Sequence, residues 1–141
     1  MTPNRLIVSC ILALAAMGAC GTDAVGVSEC RDIEYVRCES GAYCTDFRNV
    51  SACRRFQRDH CLHGLRVDDI PASQIQGCVS ALRRAGECAR DQGPSTAPAE
   101  CAASVESSAQ TVCDMVLQPE LSEACAFLVP EDERIEEDEE G

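Results

Sequence analysis

Twelve cysteines, two histidines and a cluster of arginines are the residues of this 141-residue chain whose types and spacing bear on chemistry. The cysteines stand at positions 10, 20, 30, 38, 44, 53, 61, 78, 88, 101, 113 and 125. Two blocks, Cys30 to Cys38 and Cys53 to Cys61, each open Cys-Arg and close on Cys, one on either side of Cys44. Each block carries a bulky apolar residue three places after its first cysteine, Ile33 in one and Phe56 in the other. Thiols at this density bridge one another, hold a metal or exchange. No Cys-x-x-Cys pair occurs in the chain, which removes the usual zinc knuckle, the thioredoxin-like redox motif and the haem-attachment motif. His60, Cys61 and His63, with Cys53 nearby, are what a metal site would be built from. A disulfide framework is the preferred reading, with no metal and no cofactor, because cysteine-dense chains of this kind occur where thiols are oxidised. It takes in Cys30, Cys38, Cys44, Cys53, Cys61, Cys78, Cys88, Cys101, Cys113 and Cys125.

Helix geometry restricts how these cysteines pair. At about 1.5 Å rise per residue, Cys30 and Cys38 on one helix lie about 12 Å apart, and a disulfide needs alpha carbons within about 7 Å. The same holds for Cys53 with Cys61 and for Cys78 with Cys88, so the bridges must run between elements. An antiparallel pairing of the first two helices, Cys30 with Cys61 and Cys38 with Cys53, satisfies the geometry. Ten cysteines admit on the order of nine hundred connectivities, so the remaining pairs stay open.

Arg54, Arg55, Arg58 and Arg66, with Arg48, His60 and His63, make a basic segment in an acidic chain. One use is contact with an anionic partner: a lipid headgroup, lipopolysaccharide or an acidic protein face. The plainer reading, and the favoured one, is a solvated helix face whose arginines pair with Asp46, Asp59 and the acidic C-terminus. No Gly-x-Ser-x-Gly elbow, His-Glu-x-x-His motif or phosphate-cradling glycine loop is present, so no catalytic residue is assigned and the chain is read as a non-enzyme.

The elements that carry these residues follow from periodicity and composition. Tryptophan is absent, and aromatic residues make up only 4% of the chain. Much of its apolar content is alanine and cysteine, so the core is expected to be thin. Disulfides, at about 2–4 kcal/mol each, compensate. Lysine is absent and the net charge is -12, which argues against nucleic acid as a partner. Residues 30–38 favour a helix, with Ser28 as a candidate cap, although Ile33, Tyr35 and Val36 also suit a strand. Asn49 or Ser51 caps a second helix reaching about Leu62, with Gly64 as its stop. Ser73 with Gln76 forms a capping-box pattern before a third helix, whose apolar face is Ile75, Cys78, Val79, Leu82, Ala85 and Ala89. Residues 91–96 form a loop. Pro98 opens a fourth helix with the face Cys101, Ala102, Val105, Ala109, Val112, Cys113 and Val116, and Pro119 opens a short fifth. Residues 130–141 hold eight acids and one arginine, a composition that reads as a solvated, disordered tail. The fold class expected is mainly α, a small disulfide-stapled domain of about four to five short helices over residues 30–129.

The first residues read as an export signal. Met1 to Arg5 precede the apolar stretch Leu6 to Ala19, which is short for a membrane span. Ala16-Met17-Gly18-Ala19-Cys20 resembles the lipobox of bacterial lipoprotein precursors, with Met17 where that motif usually has a leucine-like residue. The resemblance covers the first 22 residues. It implies cleavage before Cys20, lipidation of Cys20, and a tether over residues 20–29. Without Cys10 and Cys20 an even ten cysteines remain. Position 21 is not Asp, which for such lipoproteins implies the outer membrane. The chain thereby resembles small cysteine-rich lipoproteins of GC-rich Gram-negative bacteria. The function expected is a membrane-anchored binding or structural module, held by acyl chains on Cys20, whose further partner is another envelope protein or an anionic surface. The alternative is a secreted, unlipidated inhibitor or effector that presents the segment 90–98 as a rigid loop.

Overall fold

The computed structural model describes residues 26–44, 49–67 and 69–130. They form four α-helices joined by 3-10 turns, with no strand among them: α1 (Val27–Ser40), α2 (Val50–His60), α3 (Ala72–Gln92) and α4 (Val112–Leu117). Five disulfides staple them. The expected mainly α, disulfide-stapled domain is what the chain forms.

The helix-or-strand ambiguity over residues 30–38 resolves as helix because Cys30, Ile33, Val36 and Cys38 all fall on the buried side of α1. That helix starts three residues earlier than the sequence suggested. Gly26, not Ser28, is the residue at its N-cap, in the left-handed region at φ 80°. A Cβ on Gly26 would lie 3.1 Å from the Leu65 backbone nitrogen, so close approach as well as backbone angle requires glycine there. Ser28 instead donates to the Glu29 carboxylate at 2.8 Å. Asn49 does cap α2, accepting from the Ala52 N–H at 2.9 Å. A 3-10 turn over Cys61–His63 then leads to Gly64 at φ 73°. Cys30–Cys61 and Cys38–Cys53 bind α1 to α2 antiparallel, the pairing that helix geometry allowed.

The apolar face expected of the third helix, Ile75 through Ala89, is buried in α3, together with Ala81, Gly86 and Cys88. Its start differs: Pro71 sits at the N-cap and no side chain caps the helix, so the Ser73–Gln76 capping box is not used. Ser40, at the end of α1, donates to the Leu82 carbonyl at 2.8 Å. Gly86 faces it so closely that a Cβ would lie 2.6 Å from the Ser40 side chain and 2.7 Å from its Cα.

The long fourth helix expected from Pro98 to Val116 does not form. The chain makes a 3-10 turn over Pro98–Glu100, runs irregularly to Thr111, and turns helical only in α4. Two causes compete with the helical period. Cys101 is held to Cys88 by a short-range bridge. Ser107 and Ser108 both donate side-chain hydrogen bonds to the Leu121 carbonyl, while Ser107 Oγ accepts from the Ala109 N–H. Serine side chains thus give the backbone an alternative to the helical ladder. Ser107 and Ser122 form one antiparallel bridge. The short fifth helix is likewise replaced by two 3-10 turns, Pro119–Leu121 and Glu123–Leu128, with Ser122 extended between them.

The core has two parts. One gathers Ala81, Ala85 and Ala89 of α3 with Val105, Val112, Met115 and Val116 around Cys44, Cys88 and Cys101. The other packs Ile33 and Val36 against Ile75, Val79 and Leu82, sealed by Cys78–Cys125. Ile33, Leu82 and Met115 are the bulkiest fully buried side chains, so the core is thin in aromatic volume, as composition implied. Arg37 ties α1 to the C-terminal part. It pairs with Glu34 at 3.1 Å and donates to the Val116 and Leu117 carbonyls at 2.9 and 2.8 Å. These are carbonyls at the end of α4 that the helix itself leaves unsatisfied.

Candidate interaction surface

Helix α2 is the most exposed of the long helices. Within it only Gln57 is buried, because the two disulfides at its ends, not apolar burial, hold it against α1. Val50, Ala52, Cys53 and Arg54 are half-buried, and the other side chains of α2 are exposed. Phe56 is 67% exposed and Leu62, in the following turn, is 57% exposed. Ile33, which occupies the same place in the first cysteine block, is 1% exposed. The Phe56 ring stacks on His60 one turn later, centroids 6.0 Å apart and planes 9° from parallel.

The four arginines singled out by the sequence do not act as one group. Arg54 turns toward α1, where it pairs with Glu39, and its guanidinium lies 5.5 Å from the Tyr35 ring centre. Arg55 and Arg58 are exposed on α2, and Arg66 is exposed just beyond Gly64. Arg58 donates to Asp59 at 2.9 Å. That hydrogen bond holds the Asp59 carboxyl below its ordinary pKa and raises the guanidinium of Arg58. The backbone carbonyl of Arg58 accepts from Arg31 at 3.3 Å, a further tie to α1. Asp59 was one of the partners expected for these arginines. The others, Asp46 and the acidic C-terminal segment, lie outside the described residues, as do Arg48 and Cys20.

His60 and His63 are both exposed. The thiols that a metal site beside them would need, Cys53 and Cys61, are taken up in disulfides. Among the described residues no group of three or more metal-ligating side chains converges. Nor is any helix among them long and apolar enough to cross a membrane. A groove of about 440 Å³ lies open between α1 and α3 and mixes Glu39 and Glu87 with Arg83 and Arg90. The segment offered as an inhibitory loop is closed by Cys88–Cys101 and pinned by the Val112 N–H to Thr96 carbonyl bond at 2.9 Å, with Pro94 and Ser95 exposed.

The exposed Phe56 and Leu62 are what sequence reasoning missed. Their signal was composition: Phe56 is flanked by Arg54, Arg55 and Arg58, and Leu62 stands two places after His60 and directly before His63. Comparison with known protein families, curated proteins and solved structures returned no match.

Proposed function

We propose that the chain is a membrane-anchored, extracytoplasmic lipoprotein whose folded domain serves as a binding or structural module and not as an enzyme. The observation that carries this reading is the distribution of its thiols. Every cysteine from Cys30 to Cys125 is paired with another of that set, so no thiol in the domain is left for Cys20. The sequence Ala16-Met17-Gly18-Ala19-Cys20 accounts for Cys20 as the lipidated residue, and the apolar leader accounts for Cys10 as a residue removed with it. Disulfide density supports an oxidising compartment, and a residue other than Asp at position 21 supports the outer membrane. Intact mass of native protein from the membrane fraction, with and without reduction, tests the proposal. The expected result is a chain beginning at Cys20, with added acyl mass and ten thiols that appear only on reduction. An unmodified chain in the soluble fraction overturns it and favours the secreted effector, for which the loop closed by Cys88–Cys101 is the presenting element.

A further inference from the structure

We propose that the face formed by Arg55, Phe56, Arg58, Leu62, His63 and Arg66 lies on the anionic lipid surface to which the chain is anchored, and so fixes the orientation of the domain. This rests on the lipoprotein reading and adds to it a second contact with the membrane. The argument starts from where the chain enters the described structure. Gly26 lies against Leu65, so close that a Cβ added to it would stand 3.1 Å from that residue's backbone nitrogen. The anchor end of the domain is therefore the end where α2 finishes. Six residue steps separate Cys20 from Gly26. At no more than about 3.6 Å each they span about 22 Å or less. Acyl chains on Cys20 thus hold the Leu62–Arg66 turn close to the bilayer surface at high effective concentration, so that even a weak contact there is populated.

The chemistry of that surface suits an interfacial site. Residues 50–67 carry four arginines and two histidines against one aspartate, within a chain of net charge -12. Phe56 and Leu62 are two of only three large apolar side chains exposed among the described residues. Amphipathic helices that lie in the headgroup region combine these two features, basic side chains with aromatic and aliphatic ones beside them. Arginine stems lie along apolar surface while their guanidinium groups reach the phosphates.

The acidic C-terminal segment is the competing occupant. Phe127 and Leu128 pack on the same cluster as Leu65 and Ile70, so the chain leaves the described structure near this end too. Residues 131–141 bring negative charge but a single aliphatic residue, Ile135. They match the arginines and leave the exposed Phe56 and Leu62 unexplained, which favours the lipid surface.

The absence of tryptophan permits a direct test. Phe56→Trp and Leu62→Trp, each the sole tryptophan, at an exposed position and excited selectively at about 295 nm, are made in the full lipidated chain. The chain is then reconstituted in phosphatidylethanolamine–phosphatidylglycerol vesicles with brominated acyl chains. Tyr43→Trp is the control, because Tyr43 lies beyond the far end of fourteen-residue α1, about 21 Å along the axis. The expected result is several-fold stronger quenching at positions 56 and 62 than at 43, reduced by Arg55→Gln with Arg58→Gln. Equal, weak quenching at all three positions in a chain whose mass shows acylation overturns the orientation while leaving the anchor intact. Emission at 56 that is already blue-shifted without lipid, and is released by truncation after Pro130, assigns the face to the tail and also overturns the proposal. If the mass shows no acylation, the anchoring reading fails separately. Added to the same vesicles, that unlipidated chain supports the lipid face if position 56 is quenched only when phosphatidylglycerol is present, and overturns it if it is not.

Discussion

The stretch from Val27 to Gln92 and the stretch from Gly93 to Pro130 are stabilised in different ways. In the first, helix propensity and a 3.6-residue apolar period agree. α1 and α3 bury their stripes against each other, and disulfides pin α1 to α2 at both ends. In the second, the period written from Cys101 to Ala109 is overruled, and only Val112 and Val116 keep it, in α4. Backbone groups there are satisfied by serine hydroxyls, by the Arg37 guanidinium and by short 3-10 turns, and the stretch is fastened by Cys44–Cys113, Cys78–Cys125 and Cys88–Cys101. Where packing supplies stability, bridges only reinforce it. Where the backbone is irregular, bridges and polar clamps hold it while Val105, Val112, Met115 and Val116 pack onto α3.

Three variants sharpen or break that contrast. Replacing both Cys78 and Cys125 by alanine opens a loop of 47 residues and is expected to remove about 4 kcal/mol in urea unfolding. Hydrogen exchange should rise first in residues 98–130. If α1 and α2 loosen equally, the two stretches are one cooperative unit and the contrast fails. In the helical stretch, Gly86→Ala forces a Cβ to within 2.7 Å of the Ser40 backbone. It should cost about 2 kcal/mol by overpacking, despite alanine's better helix propensity. A gain in melting temperature would show that α1 and α3 can slide apart at no cost. Thr111→Val removes the capping box with Asp114, in which Thr111 Oγ1 accepts from the Asp114 N–H at 3.1 Å. The expected loss is about 1 kcal/mol, seen as faster exchange in α4 with α3 unaffected.

The sequence made the first stretch legible because each helix there follows local rules. Asn49 caps α2, the face of α3 runs from Ile75 to Ala89, and cysteines eight apart on one helix had to bridge to another. The second stretch escaped it because its decisive interactions are distant. Arg37 bonds carbonyls 79 and 80 residues away, and Ser107 reaches Leu121. Neither leaves a periodic mark. The basic segment was visible as a charge cluster, but not the division within it, because Arg54 turns inward to Glu39 and Tyr35. Ile33 and Phe56 held the same place in matching cysteine blocks. One is in the core and the other in solvent, because α3 covers that side of α1 and covers α2 hardly at all.

The order in which the bridges overlap along the chain has a consequence for how the domain withstands cleavage. Cys30–Cys61 spans the first part, Cys44–Cys113 begins inside it, and Cys78–Cys125 begins inside that. Every peptide bond between Cys30 and Cys125 therefore lies under at least one crosslink. A protease that cuts once at the exposed Pro94–Ser95 tip, or anywhere else in this interval, creates two new ends and frees no fragment. The domain behaves as a knitted fabric in which one snipped thread does not run, and a chain nicked in this way stays whole until its disulfides are reduced.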